Sequence, residues 1–211
     1  MTDVILLMAG LGERMGMNKN KMLLSINDKP LYQIIIDKFA KHTDNIILVV
    51  SENDLDYFKS LNLKYKIVIG GKTRTESVKN ALLESTAERV LIHDGARILV
   101  SDRIISDCLH STRDAYFTAI ELKNTIRYDQ TKKFETLDRS HLLDVQTPQG
   151  GLREVFLRHA LNLDENKKYT DDISMLENVD VEVIKGEERN IKITTPNDLK
   201  LAKFYLEDDY V

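Results

Sequence analysis

The sequence predicts an α/β fold, a mostly parallel twisted sheet with helices on both faces. Two observations lead to this prediction. Residues 4–8 form an uninterrupted apolar run that is closed by glycines, which is typical of a strand buried on both faces. After this run, short apolar segments and amphipathic helical segments alternate along the chain, as they do where helices connect parallel strands.

The predicted elements follow one another in a regular order up to residue 120. Pro30 suits the first position of a helix, and apolar residues at helical spacing continue from residue 31 to residue 39. The other predicted strands lie at residues 46–50, 66–69, 89–93 and 116–120, and the other predicted helices lie at residues 54–61, 75–85 and 101–111.

The alternation breaks between residues 124 and 140. Segments 125–128 and 133–137 flank a polar tip, and we interpret them as a β-hairpin inserted into the α/β pattern. Because a two-stranded ribbon is only marginally stable by itself in water, we expect it to pack against a second subunit. The remaining elements are a helix at 152–162, a short helix from Thr170, a strand at 181–184 and a final helix starting near Pro196. We expect residues 1–211 to form one domain.

Composition and charge argue against several classes of function. Thirty Lys and Arg residues against 34 Asp and Glu residues give a formal charge of −4, so global charge favours neither nucleic acid nor an anionic membrane. The single cysteine, Cys108, lies in a predicted amphipathic helix, where a buried hydrophobic role is the ordinary one. The apolar run near the N-terminus is too short to span a membrane. We therefore expect a cytoplasmic protein without a nucleic-acid or membrane partner.

The loop after the first predicted strand combines glycines with positive charge. Ligands bind beyond the carboxyl ends of the strands in parallel α/β sheets. Glycines let backbone N–H groups approach phosphate oxygens, and two cations suit a triphosphate, although a solvated basic loop is the alternative. A dinucleotide oxidoreductase is disfavoured, because Met15 replaces the third glycine of the Gly-x-Gly-x-x-Gly fingerprint. The candidate residues of this loop are Ala9, Gly10, Gly12, Arg14 and Lys21.

Two more strand ends carry candidate site residues. Asp94 and Arg97 follow a predicted buried strand, where they suit a magnesium-bound phosphate and a polyol phosphate, or form only a local salt bridge. Gly71 and Ser77 follow the third predicted strand and suit contact with a nucleotide base, but Ser77 equally suits a helix cap.

Lys192 lies in segment 190–194, which we interpret as a short apolar strand. An outward, solvated lysine is the ordinary alternative for such a position. Lys192 alone therefore predicts little, and its interpretation depends on which residues the fold brings to it.

Taken together, these segments resemble the 2-C-methyl-D-erythritol 4-phosphate cytidylyltransferase family over essentially the whole chain. The family's Ala-Ala-Gly-x-Gly-x-Arg-Met appears here as Met8-Ala9-Gly10-Leu11-Gly12-Glu13-Arg14-Met15, and its His-Asp-x-Ala-Arg appears as His93-Asp94-Gly95-Ala96-Arg97. Further matches in register are Lys21 and residues 70–78, 124–125, 138–139, 147–149, 170–172 and 190–192. Three positions depart from the family pattern, namely Met8 for alanine, Ile98 for proline and Asp172 for glutamate.

The resemblance implies a fold, a reaction and a set of site residues. The fold would be Rossmann-like, of the nucleotide-diphospho-sugar transferase type, with the hairpin as a dimerisation arm. The reaction would join CTP to 2-C-methyl-D-erythritol 4-phosphate with Mg²⁺ and release pyrophosphate, in the non-mevalonate isoprenoid pathway. The implied catalytic residues are Arg14, Lys21 and Lys192. The implied nucleotide-binding residues are Ala9, Gly10, Gly12, Gly71, Ser77 and Gly95, and the implied acceptor-binding residues are Asp94, Arg97, Thr125, Arg139, Thr147 and Thr170.

The resemblance also bears on metal and subunit partners. The ligands of the magnesium ion stay open, with Asp94 as the candidate. The hairpin at about 124–140 implies a homodimer in which Thr125 and Arg139 reach the acceptor pocket of the neighbouring subunit.

Two other functions stay under consideration. A ribitol-5-phosphate cytidylyltransferase of teichoic acid synthesis shares the scaffold and the loop cations, but residues 93–97 and 138–139 match the methylerythritol family more closely. A non-catalytic nucleotide-binding module is the second alternative, and it would have no need of cations around the α-phosphate.

Overall fold

A computed structural model of the protein describes residues 1–10, 20–164 and 167–208. Its strands are β1 (Thr2–Leu7), β2 (Ser25–Ile26), β3 (Lys29–Pro30), β4 (Ile46–Val50), β5 (Lys66–Ile69), β6 (Arg89–Asp94), β7 (Ala115–Glu121), β8 (Ile126–Asp129), β9 (Phe134–Leu137), β10 (Leu143–Leu152) and β11 (Val181–Lys185). Its α-helices are α1 (Leu31–Ala40), α2 (Leu55–Ser60), α3 (Arg74–Glu84), α4 (Asp102–His110), α5 (Arg153–Leu161) and α6 (Pro196–Asp208).

Seven strands form the central sheet, in the order β11-β7-β10-β6-β1-β4-β5. Strand β1 pairs in parallel with β4 and β6, β4 pairs in parallel with β5, and β11 pairs in parallel with β7. Strand β10 runs antiparallel to both of its neighbours. The predicted mostly parallel sheet is therefore confirmed.

Each face of the sheet is covered by helices around its own hydrophobic core. Along β1, Val4 and Leu6 point into one core while Ile5 points into the other, which explains why the whole strand is apolar. The first core includes residues of α1, α2, α4 and α6, and the second includes residues of α3 and α5. The prediction of helices on both faces is confirmed.

Strand β10 is the strand of the central sheet that we did not predict from the sequence; the short strands β2 and β3 outside that sheet were not predicted either. Pro148 interrupts its pairing, and the register to β7 shifts between Gln146 and Gln149. Its glycines lie against neighbouring backbone: a Cβ atom on Gly150 would come 2.2 Å from the carbonyl oxygen of Val90. A sequence pattern with proline and paired glycines normally indicates a turn, so tertiary packing decides this strand.

Two other predicted elements differ in the structure. The short helix expected from Thr170 is a 3₁₀ turn at Ile173–Met175. Ser174 shapes this turn, because its hydroxyl oxygen accepts from the backbone N–H of Thr170 at 3.2 Å. Segment 190–194 was predicted as a strand but joins no ladder, and it is tied to the fold by Ile193 N donating to the Ala96 carbonyl at 2.9 Å.

The predicted hairpin is confirmed as β8 and β9, which form their own two-stranded sheet outside the central one. Large apolar side chains stay exposed on the hairpin and on the start of β10: Tyr128 is 55% exposed and Phe134 is 62% exposed. The arm therefore presents apolar surface that this chain does not cover.

Candidate active site

The ends of β1, β4, β5 and β6 open into a cavity of about 740 Å³. All four strands are parallel, so their carboxyl ends meet at one edge of the sheet. The cavity-lining residues are Leu7, Met8, Ala9, Gly10, Lys21, Met22, Ser51, Glu52, Asn53, Gly70, Gly71, Lys72, Thr73, Arg74, Glu76, Ser77, Asp94, Ala96, Lys192 and Thr194.

One wall of the cavity is the glycine loop between β5 and α3. Thr73 is the N-cap of α3, and its hydroxyl accepts from the N–H of Glu76 at 3.1 Å. Ser77 accepts from the N–H of Gly71 at 3.0 Å and donates to the Thr73 carbonyl at 2.9 Å. A Cβ atom on Gly70 would lie 2.9 Å from both Ala9 Cβ and Ser77 Oγ. Ser77 therefore holds the loop in shape, and any larger side chain at position 70 would disturb this wall.

Lys21 reaches the cavity from the end of the first loop. Its neighbour Asn20 is buried and donates to the Met8 carbonyl at 2.9 Å and to Asp54 at 2.8 Å. It thereby anchors the loop end to the end of β1 and to the turn that follows β4. The Lys21 amine donates to the Ile193 carbonyl at 2.9 Å. Lys21 thereby contacts the segment that carries Lys192, although 171 positions separate these two lysines in the sequence.

Asp94, at the end of β6, is the centre of a buried charge cluster. Its Oδ1 accepts from Arg74 Nε at 3.1 Å, and its Oδ2 lies 2.8 Å from Lys192 Nζ and 3.8 Å from Arg97 Nε. Burial alone would raise the pKa of Asp94, but Arg74 and Lys192 hold it well below its usual value. The carboxylate is therefore ionised, and it keeps the Lys192 amine at the cavity.

Arg74 connects Asp94 to a second buried carboxylate, Asp172. Its Nη1 and Nη2 donate to the two oxygens of Asp172 at 2.6 Å and 2.8 Å, which is a bidentate ion pair. Its Nε donates to Asp94. Burial would lower the pKa of Arg74, but the two carboxylates raise it, so the guanidinium stays charged. Burial raises the pKa of Asp172, which Arg74 opposes.

A hydrogen-bond network supports Asp94 from behind. The Thr147 hydroxyl accepts from the Asp94 N–H at 3.1 Å and lies 3.1 Å from His93 Nδ1. The other ring nitrogen of His93 lies 3.1 Å from the Arg97 carbonyl oxygen. A neutral imidazole with its proton on Nε2 satisfies all these contacts, and burial lowers the pKa of His93 to about 3.

The structure brings most of the predicted nucleotide-side residues together. Both lysines of the predicted catalytic set lie in one cavity, together with Asp94 and most of the predicted nucleotide-binding residues. These cavity residues are Ala9, Gly10, Lys21, Gly71, Ser77, Asp94 and Lys192. Arg14 and Gly12 lie outside the described residues.

The other predicted residues lie off the cavity wall. Gly95 packs beneath it, where an added Cβ would meet Met8 Cγ at 2.8 Å. Arg97 is largely buried behind Asp94, and its Nη1 donates to the Asn190 carbonyl at 2.7 Å. Thr147 is buried in β10, whereas Thr125, Arg139 and Thr170 are exposed. Their predicted contacts to the acceptor stay predictions.

Some residues of the site were not predicted from the sequence. Arg74 is the main one: it lies in the matched segment 70–78, but only the fold shows that its side chain contacts both Asp94 and Asp172. The charged residues clustered within residues 72–76 are the sequence feature that could have pointed to Arg74. Among the departures from the family pattern, Met8 lines the cavity, while Ile98 is fully buried in a core.

Metal ligands are sparse in this cavity. Among residues 1–10, 20–164 and 167–208, no three His, Cys, Asp or Glu side chains converge as a metal-binding group. Asp94 offers one carboxylate, with both oxygens engaged by cations. This donor set suits a Mg²⁺ that arrives on phosphate oxygens, because such an ion needs only one or two protein carboxylates.

A glycine-walled, lysine-bearing cavity at the carboxyl edge of this sheet fits an α/β enzyme that handles a phosphorylated nucleotide, such as a nucleotidyltransferase. Comparison with known proteins gives the family. The model of the family described as IspD: 2-C-methyl-D-erythritol 4-phosphate cytidylyltransferase matches residues 2–208. The chain belongs to this family.

Individual relatives agree with the family match over nearly their whole length. A Bacillus anthracis protein named 2-C-methyl-D-erythritol 4-phosphate cytidylyltransferase is 37% identical, covering 98% of each chain. A protein of the same name from Clostridium tetani is 38% identical over 96% of this chain and 89% of its own. The crystal structure of 4-diphosphocytidyl-2C-methyl-D-erythritol synthase from Anaerococcus prevotii superimposes with a TM-score of 0.83 at 28% identity, covering 98% of both chains. The predicted family and fold class are confirmed.

Proposed function

We propose that this protein transfers the cytidylyl group of CTP to 2-C-methyl-D-erythritol 4-phosphate, giving 4-diphosphocytidyl-2-C-methyl-D-erythritol and pyrophosphate. The observation that carries the proposal is the meeting of Lys21 with segment 190–194 at one cavity, in a chain that the family matches from residue 2 to residue 208. Two amines from distant parts of the sequence converge where a triphosphate would lie.

The chemistry requires no covalent enzyme intermediate. A phosphate oxygen of the acceptor attacks the α-phosphorus of CTP, a new P–O bond forms, and the bond to pyrophosphate breaks with its electron pair leaving on pyrophosphate. Negative charge builds up on the α-phosphate and on the leaving group. Lys21 and Lys192, with Arg14 from the first loop, would stabilise that charge, and one such partner is typically worth about 10²–10³ in rate.

The glycine loop supplies the proposed nucleotide pocket. Ala9, Gly10, Gly71 and Ser77 present short side chains and backbone groups to the cavity. Because a Cβ at position 71 would come 2.3 Å from Glu76 Cβ, the tight packing of this loop requires glycine there. We propose that the exposed backbone of the loop reads the cytosine base.

Magnesium fits the proposal as part of the nucleotide substrate. The ion would neutralise charge on the triphosphate and on the leaving pyrophosphate. Asp94 is the carboxylate that could face it, directly or through water. The chain's own task would be to keep Asp94 ionised and Lys192 in place, which the ion pairs of Asp94 favour.

We propose that the acceptor binds beside Asp94 and Arg97, with Thr170 nearby and with Thr125 and Arg139 supplied by a second subunit. The exposure of the last two residues at the base of the hairpin supports a role outside their own chain. The exposed apolar side chains of Tyr128 and Phe134 support a homodimer formed through the arm.

Two broader expectations belong to the same proposal. We propose that residues 1–211 act as a single nucleotidyltransferase domain, because one sheet runs from β1 to β11. We also propose a cytoplasmic location. In the part of the chain that the structure describes, no helix has the length and apolarity needed to cross a membrane.

The acceptor assay tests this proposal most sharply. The pure protein is incubated with CTP, MgCl₂ and either 2-C-methyl-D-erythritol 4-phosphate or ribitol 5-phosphate, and pyrophosphate release is followed with a coupled enzyme. The proposal expects turnover with the first acceptor. Preferential turnover of ribitol 5-phosphate would support the teichoic acid alternative, and CTP binding without pyrophosphate release would support a non-catalytic module.

A further inference from the structure

Arg74 occupies a position that the reaction scheme above does not use. It is the first residue of α3, yet its side chain lies between the end of β6 and the turn before Ile173. Three of its N–H groups donate to two buried carboxylates, Asp94 and Asp172. The side chain of Asp172 is only 2% exposed and that of Asp94 only 9% exposed, so both charges need cationic partners. Arg74 is the bidentate partner of Asp172, and it shares Asp94 with Lys192 and Arg97.

The contacts form a continuous chain of charges from the acceptor side to the catalytic lysines. Asp172 pairs with Arg74, Arg74 pairs with Asp94, and the other oxygen of Asp94 holds the Lys192 amine at 2.8 Å. The carbonyl next to Lys192 accepts from Lys21. The position of the Lys192 amine is therefore tied to the orientation of the Asp94 carboxylate.

We infer that Arg74 is a positioning residue, which fixes the rotation of the Asp94 carboxylate so that Oδ2 faces Lys192 and the phosphate site. The inference rests on the function proposed above. With Arg74 on Oδ1, the Asp94 side chain has one orientation that satisfies both oxygens. Without Arg74, Asp94 shares both oxygens between Lys192 and Arg97, and Lys192 is drawn away from the nucleotide.

Asp172 makes it possible to separate the effect of Arg74 on stability from its effect on catalysis. Removing Arg74 has two effects: it leaves the buried Asp172 carboxylate without its bidentate partner, which destabilises the fold, and it releases Oδ1 of Asp94, which affects mainly turnover because Lys192 and Arg97 still neutralise that charge. Replacing both members of a buried ion pair is often close to neutral for stability, whereas removing one member is costly. The variant Arg74→Met combined with Asp172→Asn therefore repairs the first effect and leaves the second.

The experiment compares wild type, Arg74→Met, the double variant Arg74→Met/Asp172→Asn, and the control Arg113→Met, whose side chain is 62% exposed and 3.9 Å from its partner Asp180. Melting temperature, the KM for CTP and kcat for pyrophosphate release are measured for each protein. We expect Arg74→Met to melt lower and to lose about 10²-fold in kcat, the scale of a misplaced catalytic group. The double variant should recover its melting temperature but not its kcat. Its KM for CTP should stay within about threefold of wild type, a change far smaller than the loss of one catalytic contact causes.

Two results would overturn the inference. Recovery of kcat in step with melting temperature in the double variant would mean that Arg74 is only structural. A rise in the KM for CTP that matches the fall in kcat/KM would mean that Arg74 binds the nucleotide directly. An inactive wild-type protein would instead contradict the proposed function, and the control variant identifies any general effect of losing an arginine.

Discussion

Lys192→Met is the perturbation that the site geometry makes most informative. The Lys192 amine lies 2.8 Å from Asp94 Oδ2, and the lysine side chain is 33% exposed at the cavity. Methionine keeps the unbranched stem and removes the charge, so the effect reports on the amine alone. We expect a large loss of turnover and a small loss of stability.

The expected magnitudes follow from what remains around Asp94. Losing one cation that stabilises the transition state costs about 10²–10³ in kcat, or roughly 3–4 kcal/mol. Stability is affected less, because Asp94 keeps Arg74 at 3.1 Å and Arg97 at 3.8 Å. A hydrogen bond between charged groups is worth about 1.5–3 kcal/mol, and exposure to solvent reduces this to about 1 kcal/mol. In a chain of this size, that corresponds to roughly 2–4 °C in melting temperature.

The assay measures pyrophosphate release at saturating substrates and thermal unfolding of the same preparations. Lys203→Met is the matched control, because Lys203 lies 3.8 Å from Glu207 and its side chain is 55% exposed. The control should keep wild-type turnover and stability. Loss of a catalytic cation lowers kcat by at least about 10²-fold. A kcat for Lys192→Met within about threefold of wild type would therefore mean that Lys192 has no part in the reaction.

Three further predictions concern the first loop, the buried histidine and the arm. Arg14→Ala and Lys21→Ala should each lower kcat far more than they raise the KM for the acceptor, which steady-state kinetics with varied acceptor will measure. Because burial lowers the pKa of His93 to about 3 from an ordinary value of 6.5, the unfolded chain binds a proton first, and the free energy of unfolding should fall as the pH drops below about 6.5. Phe134→Asp should weaken a homodimer in analytical ultracentrifugation, because Phe134 is 62% exposed on the arm.

Each of these predictions has a clear contradictory result. Near-normal kcat in both loop variants would remove Arg14 and Lys21 from the mechanism. Urea titrations at pH 7 and pH 5 should give a smaller pH effect in His93→Gln but not in His141→Gln, whose ring is 84% exposed; equal pH effects would contradict the assignment to His93. A monomeric wild type, or a Phe134→Asp dimer of wild-type affinity, would exclude the arm as the interface.

The central part of the fold was predictable because each local pattern agrees with its tertiary role. Residues 4–8 and 46–50 are apolar at every position, as strands covered on both faces must be. Pro30 precedes α1 and Ser101 caps α4, so these helix starts were visible in the sequence. Strand β10 could not be predicted in this way, since its Pro148 and paired glycines are accommodated by a register shift and by close backbone contacts.

The candidate site was also predictable only in part. Strand ends pointed to Lys21 and Asp94, because parallel sheets gather ligands at that edge. The partners of Arg74 could not be read from the sequence, since Asp94 and Asp172 lie 20 and 98 positions away. The role of segment 190–194 could not be predicted either: Lys192 reaches the cavity through its ion pair with Asp94, and the Ile193 carbonyl accepts from Lys21, contacts that only the tertiary fold creates.

The most direct test of the whole account is a crystal structure of the protein with CTP and magnesium. The account predicts the triphosphate in the cavity at the ends of β1, β4, β5 and β6, with the amines of Lys21 and Lys192 and the guanidinium of Arg14 at hydrogen-bond distance, about 3 Å, from its oxygens. A triphosphate bound elsewhere, or these three cations on separate faces of the molecule, would contradict it.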